Sequence, residues 1–238
     1  MISAMLCLEY GSDRSFFAYF EFVSPKMQML NSTNIMRTVG MKNSKGIYTV
    51  IKRLLDILFS SILLTFLLVP MAIIWIAVCL NSSGGGIFRQ IRVGRGGREF
   101  VCYKFRTMYK SAPPSCPSSR FTEAEKYITP IGRFLRRASL DELPQLFNVL
   151  KGDMSLVGPR PLILAEKEVH IKRQENGVYT LRPGMTGLSQ VNGRDAVTDE
   201  KKVELDTMYL LSLGFWQDAK ILGITVGRVL TGSGINRA

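Results

Sequence analysis

Apolar side chains form one long unbroken run in this chain and several shorter periodic ones. Residues 57–80 make up 24 consecutive positions without a charged side chain. About 20 apolar residues are enough for a helix to cross a hydrocarbon core, so this run predicts a membrane segment, with a buried core helix as the alternative. Basic residues stand on both sides of the run, and positive charge marks the cytoplasmic side of a membrane segment. Both ends are therefore expected to face the cytoplasm.

Pro70 lies in the middle of this run. A proline cannot donate a backbone hydrogen bond, so it kinks or breaks a helix. The parts on either side, residues 57–69 and 71–80, would rise only about 20 Å and about 15 Å. Neither reaches across a hydrocarbon core of about 30 Å. We therefore predict a re-entrant helix hairpin that enters one leaflet and returns at Pro70; a kinked single span is the alternative.

Beyond the apolar run the pattern changes to short segments. Residues 87–93 and 100–105 favour strands on either side of a glycine-rich turn, which predicts a β-hairpin. Helical patterns follow at residues 122–137, 140–151, 164–176 and 198–212. Residues 215–230 repeat apolar side chains at a period of 3.6 and predict an amphipathic helix. Such a helix either packs on the core or lies in a membrane interface.

These patterns divide the chain into three parts and predict an α/β, membrane-associated fold. Residues 1–47 are expected to be either a poorly ordered N-terminal extension or a stretch that precedes the true start of translation, at Met27, Met29, Met36 or Met41. Acidic residues interrupt the apolar positions of this stretch, which argues against a signal peptide. Residues 48–83 form the predicted re-entrant membrane helix hairpin. Residues 84–238 form a small helix-rich cytoplasmic domain with a β-hairpin and amphipathic interfacial helices.

Charge and side-chain chemistry narrow the kinds of site that the chain can build. Lysine and arginine number 31 against 19 acidic residues, which gives a formal net charge of +12. This excess suits anionic partners, namely phosphates, nucleic acid or an acidic membrane surface. His170 is the only histidine, and the four cysteines include no CxxC pair. Catalytic triads, multi-histidine metal sites and zinc sites therefore have little support, and a carboxylate is the expected reactive group.

Asp141 and Glu142 are adjacent carboxylates preceded by several arginines. One interpretation is a helix capping box, because Ser139 and Glu142 have the S-x-x-E spacing. The alternative places the helix start nearer Asp141, so that Pro144 falls in the first turn, where proline is tolerated. The helix dipole and the neighbouring Arg136 would then keep the Asp141 carboxylate ionised. An ionised carboxylate can act as a nucleophile or as a Mg²⁺ ligand.

Further along the chain, three predicted turns each contain an arginine. Arg160 stands between two prolines, which stiffen the loop that presents it. Arg182 precedes a Pro-Gly pair, and Arg194 follows an Asn-Gly turn. Each turn taken alone is more simply explained as structural. Several arginine-bearing turns together with an Asp-Glu pair favour a polyphosphate-binding site.

The order of these motifs resembles the bacterial sugar transferase family, the small monotopic phosphoglycosyl transferases that start glycan assembly on undecaprenyl phosphate. The resemblance covers about residues 50 to 232. The matching segments are KRLLD at 52–56, the apolar run broken at Pro70, YKFRTM at 103–108, SLDELPQ at 139–145, KGDMS at 151–155, GPRP at 158–161, RPGMTG at 182–187, QVNGR at 190–194 and ELD at 204–206.

The resemblance implies an undecaprenyl-phosphate sugar phosphotransferase at the cytoplasmic face of the bacterial inner membrane. Asp141 would attack the sugar-bearing phosphate of a UDP-sugar, release UMP and hold the phospho-sugar until undecaprenyl phosphate accepts it. Asp141 and Glu142 would bind Mg²⁺. This transfer would be the first membrane step of polysaccharide or glycoconjugate synthesis.

The same resemblance implies a set of substrate-binding side chains and a set of partners. The substrate-binding residues are Lys104, Arg106, Arg136, Arg160, Arg182, Gln190, Asn192, Arg194 and Asp206. The partners are the UDP-sugar, undecaprenyl phosphate and inner-membrane lipid; no nucleic acid is expected, and a homodimer is left open. Two other classes compete with this interpretation: a non-enzymatic basic protein that binds membrane or nucleic acid, and a membrane hydrolase that uses the same acyl-phosphate chemistry on water.

Overall fold

A computed structural model describes residues 44–81, 84–112, 124–193 and 197–231. The N-terminal extension predicted for residues 1–47 lies almost entirely outside this described part. The described residues are rich in helices and contain one β-hairpin, which follows a long apolar helix, as the sequence predicts.

The first helix, α1 (Ser44–Asn81), contains 38 residues and runs through Pro70 without ending. It is the one helix in the described residues that is long and apolar enough to cross a membrane. The predicted division into two separate helices at Pro70 is therefore wrong, and a kink within one helix is what the proline leaves as the way to change its direction. A proline removes a single backbone hydrogen bond, and the bonds on both sides of it continue the helix.

Helix α1 has a narrow inner face and a broad apolar outer face. Ser60, Leu64, Met71 and Val78 follow one another at helical spacing and are buried. The outer face exposes large apolar side chains such as Phe66, which is 76% accessible. Only 17% of the most apolar window of the helix is buried by the protein. Such a large apolar surface is unfavourable in water and suits a lipid environment.

The predicted hairpin is confirmed. Strand β1 (Ile87–Val93) pairs antiparallel with β2 (Glu99–Phe105) around a short 3₁₀ turn. Gly96 and Gly97 have φ values of 69° and 74°, a left-handed conformation that glycine adopts readily. Residues directly opposite each other in such a pair lie on the same face of the sheet.

The remaining elements are short. The helices are α2 (Pro130–Arg137), α3 (Gln145–Lys151), α4 (Lys167–Glu175), α5 (Leu188–Val191), α6 (Asp199–Leu211) and α7 (Phe215–Thr231). Two strands that the sequence did not predict, β3 (Ser155–Val157) and β4 (Gly184–Thr186), pair in parallel. Each has three residues, which is too short for an alternating pattern to be recognised.

The core of the domain is built directly on α1. Phe105 of β2, Leu135 of α2 and Leu146 of α3 form one buried cluster with the inner-face residues Leu64, Met71 and Val78 of α1. The apolar helix is therefore part of the domain's core, and the domain holds it over much of its length.

Polar contacts fix the first turns of α1 to the same domain. Arg53 donates hydrogen bonds to the carbonyls of Val149 and Leu150 at 2.7 and 3.0 Å, and so satisfies groups that the end of α3 leaves unpaired. The backbone N–H of Leu156 donates to Asp56 Oδ1 at 3.0 Å. The KRLLD segment therefore docks the helix onto the domain.

Candidate active site

Asp141 and Glu142 lie on a separate 3₁₀ turn (Leu140–Glu142) between α2 and α3. Ser139, just before the turn, has φ 55° and ψ 20° and makes no side-chain capping bond. It is the one non-glycine residue with positive φ in the described part of the chain. The capping-box interpretation is therefore wrong. Pro144 stands immediately before the first residue of α3, close to the alternative helix start that the sequence suggested.

The acidic turn packs against the core that the domain builds on α1. Leu140 and Leu143, which flank the two carboxylates, pack against the buried cluster that contains Leu64, Met71 and Val78 of α1. Backbone strain at Ser139, in a conformation that costs roughly 1–3 kcal/mol, is held by this packing. The acidic turn is therefore held by the same buried cluster that holds α1.

Cationic side chains surround the two carboxylates. Lys104 Nζ donates to Glu142 Oε1 at 2.6 Å. Arg136 Nε donates to Thr107 Oγ1 at 2.9 Å. Burial of the Asp141 carboxyl, and after it the charge of Glu142, raises the pKa of Asp141 to about 6, although Lys104 and Arg136 oppose this. The sequence predicted that its surroundings would favour the charged form, and burial outweighs them; at neutral pH the carboxylate is still mostly ionised.

One face of the hairpin forms a wall beside the acidic turn. The side chains of Gln90, Arg92, Cys102 and Lys104 share this face, because Gln90 lies opposite Cys102 and the others follow at every second position. Burial raises the pKa of the Cys102 thiol, while the charges of Lys104, Arg92 and Arg160 lower it and that of Glu142 raises it. These four charged groups are therefore near enough to the buried thiol of Cys102 to influence its pKa.

Arg92 is a member of the site that sequence reasoning missed. Its Nη1 donates to the carbonyl of Pro161 at 2.9 Å, and its Nη2 donates to Gln90 Oε1 at 2.5 Å. Burial, and after it the charge of Arg160, lowers the pKa of Arg92 to about 10. Two neighbouring guanidinium groups repel each other unless an anion lies between them, which is typical of a phosphate site. The available signal was an arginine at an inward position of the first strand.

Two further predicted substrate-binding residues donate to backbone carbonyls. Arg182 Nε donates to the carbonyl of Gly152 at 2.9 Å, at the opposite end of α3 from the acidic turn. Arg106 Nε donates to the carbonyl of Gly85 at 3.0 Å, where the chain leaves α1. Both guanidinium groups contact backbone here.

The QVNGR and ELD segments also make internal contacts. Gln190 Nε2 donates to the carbonyl of Met185 at 3.1 Å, and Asn192 Nδ2 donates to that of Leu188 at 2.7 Å. Arg194 lies outside the described residues.

Asp206 has no access to solvent. Its carboxylate accepts hydrogen bonds from Arg173 and from Ser189 Oγ, the latter at 3.0 Å. A side chain enclosed in this way cannot contact a substrate in this conformation. In this conformation Asp206 serves as an internal hydrogen-bond acceptor, and its direct role in substrate binding stays a prediction.

The predicted metal site can be tested against the oxygen ligands that are present. The described residues contain no group of three or more His, Cys, Asp or Glu side chains that could hold a metal ion by themselves. Mg²⁺ is commonly bound by one or two carboxylates together with substrate phosphates and water. Asp141 and Glu142 supply two hard oxygen ligands in adjacent positions, so they fit Mg²⁺ that arrives with a diphosphate.

Comparisons with known proteins agree with the motif pattern. The sequence model of the family described as bacterial sugar transferase matches residues 47–232. The sugar transferase EpsL of Bacillus subtilis is 40% identical over 188 residues, which cover 79% of this chain and 91% of EpsL. The UDP-glucose:undecaprenyl-phosphate glucose-1-phosphate transferase of Caulobacter vibrioides is 40% identical over 190 residues, which cover 76% of this chain and 70% of that protein.

A further relative is named for a different sugar. The undecaprenyl-phosphate galactose phosphotransferase of Salmonella typhimurium is 41% identical over 199 residues, which cover 77% of this chain and 41% of that protein. The chain thus spans nearly all of EpsL but less than half of the Salmonella relative.

Proposed function

This chain belongs to the bacterial sugar transferase family, and we propose that it transfers a phospho-sugar from a UDP-sugar to undecaprenyl phosphate with release of UMP. The Caulobacter and Salmonella relatives are named for glucose and galactose transfer at nearly equal identity. The proposal therefore names the class of donor, a UDP-hexose, and the lipid acceptor. The reaction would begin the membrane stage of polysaccharide or glycoconjugate assembly.

One observation carries this proposal: a half-buried acidic pair, with Lys104 and Arg136 beside it, belongs to a domain whose core is built on an apolar helix suited to lipid. Leu140 and Leu143 pack the acidic turn against the buried cluster that α1 shares with the domain. In the proposed reaction a water-soluble diphosphate reaches the turn from the domain side, and a lipid phosphate reaches it from the membrane surface. A basic binding protein would have no use for the acidic pair.

The chemistry proceeds as two displacements at one phosphorus atom. An oxygen of Asp141 attacks the phosphorus that carries the sugar; the bond to UMP breaks, and UMP leaves with the electron pair. A phosphate oxygen of undecaprenyl phosphate then attacks the same phosphorus and displaces the Asp141 carboxylate. A covalent intermediate lets a soluble donor and a lipid acceptor use one site in turn. Lys104, Arg136 and Arg160 would offset the negative charge that gathers there.

Mg²⁺ would be held by Asp141 and Glu142 together with the donor's phosphates. When bound, it neutralises phosphate charge and so lowers the repulsion between the anionic groups that must meet. The positions of Lys104 and Arg136 beside the carboxylates supply part of the same stabilisation from the protein itself.

Release of UMP from UDP-glucose and UDP-galactose, measured with and without undecaprenyl phosphate, tests the proposed function. With the lipid, the purified protein should turn over many times; without it, release should stop at about one UMP per enzyme, because the phospho-sugar stays on the protein. Continuous release without lipid would identify a hydrolase, and release of none under either condition would identify a binding protein.

We further infer that α1 lies in the inner membrane as a re-entrant helix that kinks at Pro70 without ending there, with the catalytic domain on the cytoplasmic face. The domain contacts α1 near its start through Arg53 and near its end through Val78, which packs with Phe105. These positions are 25 residues apart, or about 38 Å along a straight helix. A spanning helix would carry them to opposite sides of a core of about 30 Å. One domain that holds both therefore supports a path with both ends on one side.

Cysteine labelling tests this topology. We expect Lys45→Cys and Arg98→Cys, each in a background without the native cysteines, to react with a membrane-impermeant maleimide only after the membrane is permeabilised. A periplasmic protein with one exposed cysteine serves as the labelling control. Reaction of one of the two positions in intact cells would establish a single span instead.

A further inference from the structure

Two arginines, the buried Arg173 and the half-buried Arg92, hold the loop that presents Arg160. This loop, residues 158–161, follows β3, and its backbone is pressed against the segment that leads into β4. The N–H of Gly158 donates to the carbonyl of Thr186 at 2.8 Å, and the N–H of Gly184 donates to that of Pro159 at 2.9 Å. A Cβ atom at Gly158 would meet the backbone of Arg182 at 2.5 Å, so only glycine fits.

The first of the two arginines is Arg173 on α4, which is 2% exposed. Its Nη1 donates to the carbonyl of Arg160 at 2.7 Å, and its Nη2 contacts the Asp206 carboxylate on α6. Ser189 Oγ donates to the other oxygen of Asp206 at 3.0 Å. Arg173 thus links the Arg160 backbone to a buried anion that is itself fixed from a third helix.

The second is Arg92, which donates to the carbonyl of Pro161 at 2.9 Å. The carbonyls of two successive residues in the loop are therefore held from two different elements, β1 and α4. A proline on each side of Arg160 already restricts the φ angles of the loop. With both carbonyls bound, the backbone at Arg160 has little freedom, and its side chain leaves the backbone in a fixed direction.

We propose that Arg173, oriented by Asp206, is a positioning residue for Arg160 and so for binding of the donor's diphosphate. The inference rests on the proposed function, because Arg160 is taken to face the phosphates of the UDP-sugar. The charge of Arg160 lowers the pKa of Arg92 and of Cys102, and both of these residues lie on the hairpin face that also carries Lys104. The guanidinium of Arg173 is required because its planar fork can serve a carbonyl and a carboxylate at once, which a lysine ammonium on a flexible stem does poorly.

A purely stabilising role explains this arrangement less well. A buried ion pair repays its desolvation poorly, and replacing such a pair with apolar side chains of similar volume is often neutral or stabilising. Arg173 instead directs one of its hydrogen bonds to the backbone carbonyl of Arg160, the residue that faces the site. This arrangement also accounts for Asp206 of the ELD segment, which is fully buried and therefore does not contact a substrate directly in this conformation.

The test is a double-mutant cycle between Arg173→Lys and Arg160→Ala, with kcat/KM for the UDP-sugar and the thermal midpoint measured for each variant. Alone, Arg173→Lys should lower kcat/KM roughly 10- to 100-fold, the scale expected when a binding group is misplaced. In the Arg160→Ala background it should cause almost no further loss, because the group that it positions is gone. Lys172→Met, which removes an exposed ion pair to Glu200 from the same helix, is the matched control and should leave kcat/KM unchanged.

A second variant separates positioning from folding. Arg173→Met combined with Asp206→Leu removes the buried charges together, so the thermal midpoint should stay near the wild-type value while kcat/KM falls as in Arg173→Lys. Equal losses from Arg173→Lys with and without Arg160, or full activity of the apolar pair, would overturn the proposal. If the apolar pair does not fold, the cycle alone decides. Failure of the proposed function would show separately, as a wild-type protein that releases no lipid-dependent UMP.

Discussion

Asp141→Asn should abolish transfer, with a loss on the order of 10³-fold or more in kcat. The substitution keeps the size and shape of the side chain but replaces a carboxylate with an amide, which cannot form the acyl phosphate. The measurement is lipid-dependent UMP release in the presence of saturating UDP-sugar. The variant should also fail to release the single UMP per enzyme that the wild type gives without lipid.

The variant should fold at least as well as the wild type. The pKa of Asp141 is raised to about 6, from 3.8, chiefly by burial and then by Glu142. A raised pKa in the folded protein means that the ionised carboxylate costs stability at neutral pH, above both values. A neutral amide removes that cost, so the thermal midpoint should be unchanged or higher. A reactive group that the fold disfavours in this way is typical of active sites.

Asp153→Asn is the matched control. Asp153 lies just beyond the far end of α3, where its carboxylate accepts from Asn148 Nδ2 at 3.4 Å and meets Lys151 at 3.4 Å. Loss of this charge should change activity by no more than about threefold, as for most substitutions outside a site.

Mass spectrometry locates the intermediate. Wild-type protein given UDP-sugar without lipid should gain the mass of one phospho-sugar, and fragmentation should place it on Asp141. A folded Asp141→Asn protein that transfers at nearly the wild-type rate would contradict the double displacement. Direct attack of the lipid phosphate on the UDP-sugar would then be the mechanism.

The elements that sequence predicts well are those whose signal is local and long. The apolar helix and the hairpin follow from an uncharged run and from strands around glycines, and both are present. The predicted division into two helices at Pro70 is wrong because a proline removes one backbone hydrogen bond, and a long helix can continue past it. Contacts between distant segments decide the path of α1, and these contacts leave no periodic trace in the sequence.

The acidic turn shows where a local motif misleads. Ser139 and Glu142 have the spacing of a capping box, yet Ser139 adopts a left-handed conformation and its side chain makes no capping hydrogen bond to the turn that follows. Leu140 and Leu143 pack the turn against the buried core, and burial of the Asp141 carboxyl raises the pKa that local charges were expected to lower. Tertiary burial, which a four-residue pattern cannot encode, determines both results.

The charged residues of the site and its surroundings also differ in how far the sequence predicts their roles. Motif resemblance marks Arg160 and Asp206 alike as substrate-binding, but only a structure separates a side chain at the site from one enclosed in the core. Arg92 and Arg173 stand outside any turn motif, and their importance lies in which carbonyl each one binds. The sequence therefore identifies the reactive and charged groups of the site more readily than the residues that hold them in position.

Glu142→Gln should reduce kcat by about 10²-fold or more, the scale of losing one charged stabilising group. The side chain keeps its size but loses the negative charge that would help to hold Mg²⁺ and that attracts the Lys104 ammonium, whose Nζ donates to Glu142 Oε1 at 2.6 Å. If Glu142 binds the metal, the concentration of Mg²⁺ needed for half-maximal activity should rise, and added Mg²⁺ should restore part of the loss. Asp141→Asn should show no such recovery, since its missing group is the nucleophile.

Lys104→Met separates the two tasks of Glu142. It removes the cation that Glu142 holds but leaves both carboxylates in place, so activity should fall while the Mg²⁺ requirement stays near the wild-type value. Glu200→Gln, which breaks an exposed ion pair on the protein surface, should change neither quantity. An unchanged Mg²⁺ requirement in Glu142→Gln, with a loss equal to that of Lys104→Met, would contradict a metal-binding role. Glu142 would then act by holding the Lys104 ammonium against the phosphates, and Asp141 alone would remain as the metal ligand that the protein supplies.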